Sequence, residues 1–374
     1  MPETSIQQAA FQQGISRRDF LKFCSMMAGV LALPRSYMGE IEKALATPAR
    51  LPVIWLEFQD CAGCTEALLR ATQPTVSQLV LDVLSVDYHE TIMAAAGNLA
   101  EEAKQATIDA GGYLLVIEGS IPVGEGEYYC TIGGKSALQQ LNEAAANAVT
   151  VFAVGNCAAY GGWPIAKPNP TNATFVSDLV KDKPVMNLPG CPYNPVNLTA
   201  AVVHFLTFGE LPAMDDKGRP LFAYGDRIHD NCPRRGHFDA GEFVVAWGDE
   251  GHRKGWCLYK MGCKGPVTFH NCPAVEYNDG TSWQIKAGHG CVGCSEPGFW
   301  DFEGGVYGLA SLQEFAPPET YAPVQLPTQN LDPATAGLIG GLAGVAIGAA
   351  GVAAYKALST PDGGEAPAPK KAKK

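Results

Sequence analysis

Charge is scarce in this 374-residue chain. Only 17% of its residues are charged, and the balance is acidic, with 27 Lys and Arg against 38 Asp and Glu for a formal charge of -11. A surface that neutralises phosphates needs clustered basic residues, so nucleic acid is excluded as a partner. The sequence also has no G-x-S-x-G elbow, Walker loop or dinucleotide fingerprint, which leaves serine hydrolysis and nucleotide chemistry without support. No internal repeat is present. Apolar residues make up 47% of the chain, enough for a large core, and the length suggests two domains. With 42 Gly and 27 Pro, much of the chain should be loop.

The chemistry lies in ten of the twelve cysteines and one of the seven histidines. Their spacing resolves into three groups: Cys61, Cys64, Cys157 and Cys191; His229, Cys232, Cys257 and Cys263; and Cys272, Cys291 and Cys294. Thiolates are soft ligands that hold iron-sulfur clusters, usually four to a cubane, and a histidine can replace one of them. Two 4Fe-4S clusters and, for the three-cysteine group, one 3Fe-4S cluster are the natural reading. Disulfides compete, but Cys24 lies in the N-terminal leader described below, and the remainder is an odd number at low density. Structural zinc also competes, since Cys-x-x-Cys and His-x-x-Cys suit it; it explains the first two groups and leaves a three-thiolate third. An exported zinc or disulfide module that binds a partner protein is the corresponding alternative function. Cys130 joins no group and reads as an inert thiol. His289, two residues before Cys291, is the candidate to donate toward the third group.

Both ends carry signals. Arg17-Arg18, an apolar stretch from Phe23 to Leu33 and Ala44-Leu45-Ala46 make a twin-arginine export leader over residues 1–46. The competing reading is an ordinary amphipathic helix. Residues 333–355 contain no charge and are long enough to span a bilayer as a helix, with Gly337, Gly340, Gly341, Gly344 and Gly348 spaced for close helix approach. Lys356, Lys370, Lys371, Lys373 and Lys374 in the tail 356–374 then belong in the cytoplasm, so the body sits on the periplasmic side of the inner membrane. The Pro-rich segment 315–332 reads as a linker.

Apolar runs at Pro52–Phe58, Leu79–Val86, Tyr113–Ile117, Val149–Val154 and Val185–Leu188 predict strands, and Thr65–Ala71, Thr91–Ala106 and Lys135–Ala148 predict intervening helices. The α/β alternation predicts a flavodoxin-like open parallel sheet over 47–220. All four cysteines of the first group then fall at carboxyl ends of strands, where such sheets bind ligands, and Gly63, Gly155 and Gly190 let the backbone come close. Beyond residue 220 the periodicity fades. Residues 221–314 read as an irregular iron-sulfur domain that owes much of its folding energy to its clusters.

The motifs Asp60-Cys61-Ala62-Gly63-Cys64-Thr65-Glu66, Gly155-Asn156-Cys157, Pro189-Gly190-Cys191-Pro192, Arg227-Ile228-His229-Asp230-Asn231-Cys232, Gly255-Trp256-Cys257, Gly262-Cys263-Lys264-Gly265-Pro266, Asn271-Cys272-Pro273 and Cys294-Ser295-Glu296-Pro297 together resemble the small subunit of membrane-bound, periplasmic nickel-iron uptake hydrogenases. The resemblance covers essentially the whole chain. It implies that the first group binds a proximal 4Fe-4S cluster, the third a medial 3Fe-4S cluster and the His229 group a distal 4Fe-4S cluster. It also implies a separate large subunit holding the nickel-iron site, and a membrane cytochrome b that passes electrons to quinone. Another multi-cluster quinone-linked oxidoreductase is the second reading. Oxygen-tolerant relatives carry two extra cysteines where this chain has Gly63 and Gly162, so the resemblance implies a standard proximal cubane and oxygen sensitivity. Where many relatives have proline after the tryptophan before the last cysteine pair, this chain has Gln284, a poor iron ligand.

Overall fold

Five strands, β1 (Leu51–Glu57), β2 (Leu84–His89), β3 (Tyr113–Glu118), β4 (Ala148–Val154) and β5 (Val185–Leu188), form one sheet in the order β2-β1-β3-β4-β5. Every pairing is parallel, and this is the flavodoxin-type order. The computed structural model describes residues 17–45, 50–71, 84–278, 280–301 and 305–306.

Parallel strands need helical crossovers, and those helices bury both faces of the sheet. Successive residues therefore alternate between two cores. Ile54, Leu56, Leu115, Ile117, Val151 and Ala153 face one, while Val53, Trp55, Leu114, Val116, Phe152 and Val154 face the other. Among the described residues the longer helices up to residue 208 are, in chain order, α1 (Arg17–Val30), α2 (Met38–Leu45), α3 (Gly63–Leu69), α4 (Asn98–Ala110), α5 (Ala137–Asn147), α6 (Gly155–Tyr160) and α7 (Pro195–Phe208). Helix α5 starts at a capping box between Ser136 and Gln139 and buries Leu141, Ala144 and Ala145. Helix α7 has Pro195 in its first turn and a cap from Asn194, and it ends at Gly209 in the left-handed region.

The apolar runs foretell all five strands, with shifted edges. Strand β2 begins at Leu84 and runs on to His89, while residues 72–83 lie outside the described residues. The helix expected over Thr91–Ala106 starts instead at Asn98 and reaches Ala110, because Gly97 adopts φ +59° and breaks the chain there. Lys135 and Ser136 pair with Thr131 and Ile132 in a small hairpin before α5 begins.

After residue 220 the described residues hold only short helices, such as Leu221–Tyr224, Arg235–Asp239, Glu250–Lys254 and Cys272–Val275. Their small core includes Ile228, Val244, Leu258, Trp283 and Ile285 together with Cys263, Cys272 and Cys291. At the other end, α1 and α2 bury Cys24, Met27, Ala28, Leu31 and Ile41 against Ala200 and Val203 of α7. Among the described residues no helix is long and apolar enough to cross a membrane. The run 333–355 and the flanking linker and tail lie outside them, as do residues 1–16 of the leader.

Candidate functional site

The strand order reverses between β1 and β3, and the first cysteine group gathers at the carboxyl ends beside that point. Cys61 lies in the turn after β1, Cys64 in α3, Cys157 in α6 and Cys191 in the loop after β5. Burial pushes the Cys64 thiol well above its ordinary value, and the Glu118 carboxylate and the sulfurs of Cys157 and Cys191 add to the rise. Cys157 is pushed up to about 12, first by burial and then by Cys191, with Cys61 contributing. The four sulfurs thus feel one another. Trp163 donates its backbone N–H to Cys157 and its side chain to Cys191, which fixes two of them. Cys61 and Cys191 are exposed, so this group opens at the surface.

Glycines shape the cradle. A Cβ on Gly155, where φ is +79°, would lie 2.4 Å from the Cys64 sulfur, and one on Gly162, where φ is +55°, would lie 2.4 Å from that of Cys157. Neither position admits a side chain without displacing a sulfur.

The second group lines one pocket: His229, Cys232, Cys257 and Cys263, with Arg234 and Arg235 beside them. Burial lowers His229 to about 4, which leaves its imidazole neutral with a lone pair free to bind a metal. The ring is held edge-on by Phe238 at 4.6 Å. The Cys232 sulfur accepts the Arg234 N–H at 3.4 Å.

Cys272, Cys291 and Cys294 line a cavity of about 480 Å³ together with Cys191, His270, Tyr277 and Gln284. Gln284 uses its side-chain oxygen to accept the Val292 N–H at 3.2 Å. This third group stands between the other two. Cys191 donates its backbone N–H to the Cys294 sulfur, and the Cys291 N–H reaches the Cys263 sulfur at 3.2 Å. Buried Asn156, next to Cys157, donates to the carbonyls of Cys294 (2.9 Å) and Glu296 (3.1 Å).

Two residues escaped the sequence reading. Glu118 ends the otherwise apolar β3 and accepts from Trp55 Nε1 (3.3 Å), the Cys64 N–H (3.1 Å) and Thr65 Oγ1 (2.7 Å). An acid closing a wholly buried strand at the carboxyl edge was the available signal. Burial raises Glu118 to about 7, and it shares a cluster with Glu57 and Asp60. The other is His270, whose Nδ1 lies 3.0 Å from the Cys272 sulfur. His289, expected in that role, instead stacks on Trp247 and bonds the Gly290 carbonyl. Cys130 packs against the sheet core, and burial raises its thiol to about 11.

The donor geometry separates the competing chemistries. All twelve cysteines are free thiols, so no disulfide framework exists. A tetrahedral zinc ion at 2.3 Å from each sulfur needs its thiolates about 3.8 Å apart. Among the described residues only Glu57, Asp60 and Glu118 bring three ligand atoms within 4.8 Å of one another, so the sulfurs of each group are spread too widely for one ion. Soft donors around a larger void fit iron-sulfur clusters.

Comparison with known proteins agrees. The family model for the C-terminal part of NiFe/NiFeSe hydrogenase small subunits matches residues 224–307, and that for the 20 kDa subunit of NADH ubiquinone oxidoreductase matches residues 61–205. The quinone-reactive Ni/Fe-hydrogenase small chain of Wolinella succinogenes is 50% identical over 297 residues, 78% of this chain and 84% of its own. The uptake hydrogenase small subunit of Afipia carboxidovorans is 44% identical over 361 residues, 96% and 94% of the two chains. The reduced, active Ni-Fe-Se hydrogenase from Desulfomicrobium baculatum superposes with a TM-score of 0.65 at 32% identity, covering 70% of this chain and all of that one. With cluster-binding chemistry, sheet and sequence in agreement, the chain belongs to the small subunits of nickel-iron hydrogenases, the iron-sulfur electron-transfer partners of a catalytic large subunit.

Proposed function

We propose that this chain holds three clusters in series and passes electrons from hydrogen oxidation to a membrane acceptor. Cys61, Cys64, Cys157 and Cys191 hold a proximal 4Fe-4S cluster, Cys272, Cys291 and Cys294 a medial 3Fe-4S cluster, and His229, Cys232, Cys257 and Cys263 a distal 4Fe-4S cluster. Bound there, such clusters supply one-electron redox centres. The observation that carries this reading is the pair of bridging contacts, Cys191 to Cys294 and Cys291 to Cys263, which rank the groups first, third, second. Exposed Cys61 and Cys191 mark the face that the large subunit covers, which keeps water from the first group. At the far end, a neutral His229 in place of a thiolate leaves that site less negative, which suits an exit.

The acceptor is a membrane cytochrome b feeding quinone, a reading favoured by the quinone-reactive name of the Wolinella relative. Residues 1–46 are a twin-arginine leader. The body comprises 47–220 and 221–314, and the linker 315–332 leads to a membrane anchor at 333–355 with a basic cytoplasmic tail at 356–374, so the complex faces the periplasm. The first cluster is a standard cubane in an oxygen-sensitive enzyme; the crowding at Gly162 supports this, since a cysteine Cβ there overlaps Cys157.

Iron and acid-labile sulfide analysis of the purified heterodimer tests the assignment. About eleven irons per chain are expected for two cubanes and a three-iron cluster. In a redox titration followed by electron paramagnetic resonance, Cys291→Ser should remove the oxidised three-iron signal and leave the reduced cubane signals. A zinc-loaded, iron-free complex would end the proposal. Mass spectrometry of the membrane-purified chain tests the leader: a start near residue 47 is expected, and a retained Arg17-Arg18 would contradict it.

A further inference from the structure

His270 is placed too well for a packing residue. Its ring is 2% exposed, set edge-on against Tyr224 at 5.0 Å and stacked with Tyr277 at 6.3 Å, and its backbone N–H is tied to the Asp226 carbonyl at 3.2 Å. So confined, it cannot swing away. Its Nδ1 lies 3.0 Å from the Cys272 sulfur, closer than sulfur hydrogen bonds usually need to be. A metal-bound thiolate carries no proton and can only accept, so the hydrogen must sit on Nδ1. The other nitrogen, Nε2, is buried without a hydrogen-bond partner, as expected of the unprotonated nitrogen in that tautomer.

The second polar group near this sulfur is the Tyr277 hydroxyl. The Tyr277 hydroxyl divides its one hydrogen between this sulfur and the Pro192 carbonyl at 3.2 Å, whereas the imidazole Nδ1 faces the sulfur at 3.0 Å. Direct ligation by His270 does not fit the same distance, because ligands on different irons are held farther apart by the cluster between them.

We propose that His270 is a positioning residue that raises the reduction potential of the third cluster by donating its Nδ1 hydrogen to the Cys272 thiolate. Reduction adds negative charge that spreads onto the ligand sulfurs, and a donor aimed at one of them stabilises the reduced form more than the oxidised form. This rests on the assignment of Cys272, Cys291 and Cys294 as cluster ligands.

The test is a redox titration of the intact heterodimer by electron paramagnetic resonance, comparing the parent with His270→Phe and His270→Asn. Phenylalanine keeps the aromatic packing and removes the donor. Asparagine restores an N–H close to the position of Nδ1. In His270→Phe the reduced-to-oxidised ratio of the third cluster at fixed potential should fall about tenfold, equivalent to a downward shift of about 59 mV for a one-electron couple. His270→Asn should recover most of it, and the other two clusters should not move. An unshifted third cluster in His270→Phe, or an equal shift in both variants, overturns the proposal. If His270→Phe does not assemble, pulsed resonance on parent protein labelled with ¹⁵N-histidine decides. A weak nitrogen coupling at the third cluster's signal supports the hydrogen bond, whereas no coupling or the strong coupling of a direct ligand refutes it. Absence of any third-cluster signal from the parent would instead defeat the ligand assignment, and the proposal with it.

Discussion

Gly155→Ala probes the first group through a single methyl. At φ +79° an alanine costs about 1–2 kcal/mol from backbone strain alone. Its Cβ would also stand 2.4 Å from the Cys64 sulfur, well inside ordinary contact, and Cys64 cannot retreat freely because its N–H is bonded to Glu118 at 3.1 Å. Overpacking of this kind adds about 1–3 kcal/mol. Gly112→Ala is the matched control: φ is +74° and nothing lies within 4 Å of the point its Cβ would occupy, so only the strain applies. Thermal unfolding of the purified heterodimer should therefore rank parent, Gly112→Ala and Gly155→Ala in falling order. Iron analysis should show about four irons missing from Gly155→Ala alone, the content of one cubane. Equal stability and full iron in both variants would refute the idea that the absent side chain at residue 155 makes room for the cluster ligand.

Burial raises the Glu90 carboxyl from 4.5 to about 8, and its Oε1 has no hydrogen-bond partner. A folded value above the unfolded one means stability is lost as pH climbs from about 4.5 to about 8. Glu90→Gln, which does not titrate, should match the parent near pH 4.5 and exceed its melting temperature increasingly up to pH 8, whereas a pH-independent difference would contradict the burial argument. Arg219, 2% exposed, pairs with Asp215 at 2.7 Å and Glu296 at 2.8 Å; Arg219→Met takes the guanidinium from both, while Glu296 keeps Lys217 at 3.0 Å and Asp215 keeps two backbone N–H donors, so it should cost about 3 kcal/mol in chemical denaturation, and a loss under 1 kcal/mol would refute it. Removing iron should raise amide hydrogen exchange sharply in 224–301 while β1, β3 and β4 stay protected; uniform protection would show that the irregular region folds without its clusters.

The sheet was legible because its strands are buried on both faces and read as unbroken apolar runs such as Tyr113–Ile117. Helix edges were less so: nothing in Thr91–Ala96 announces that Gly97 will turn the chain before α4. The gathering of the first four thiols was legible from their places after strands, since cysteines separated by 90 residues can meet only if strand ends bring them together. His270 was not, because proximity to Cys272 depends on the ring's rotamer and on the clamps of Tyr224 and Tyr277, which sequence distance does not encode. His289 stood at an equally short separation from a ligand and turned to Trp247 instead. Glu118 was hidden for another reason: one acid at the end of a strand looks like a solvent-facing terminus until α3 folds over it.

One asparagine has mechanical importance beyond its size. The Asn156 amide grips the main chain on both sides of Ser295 from a position adjoining Cys157, so thermal breathing of the irregular half cannot widen the gap to the sheet without breaking two buried bonds. Tunnelling rates decay exponentially with separation. In the relay proposed above, a clamp that limits such play protects the speed of the first hop, and loosening it should slow turnover while the iron content stays unchanged.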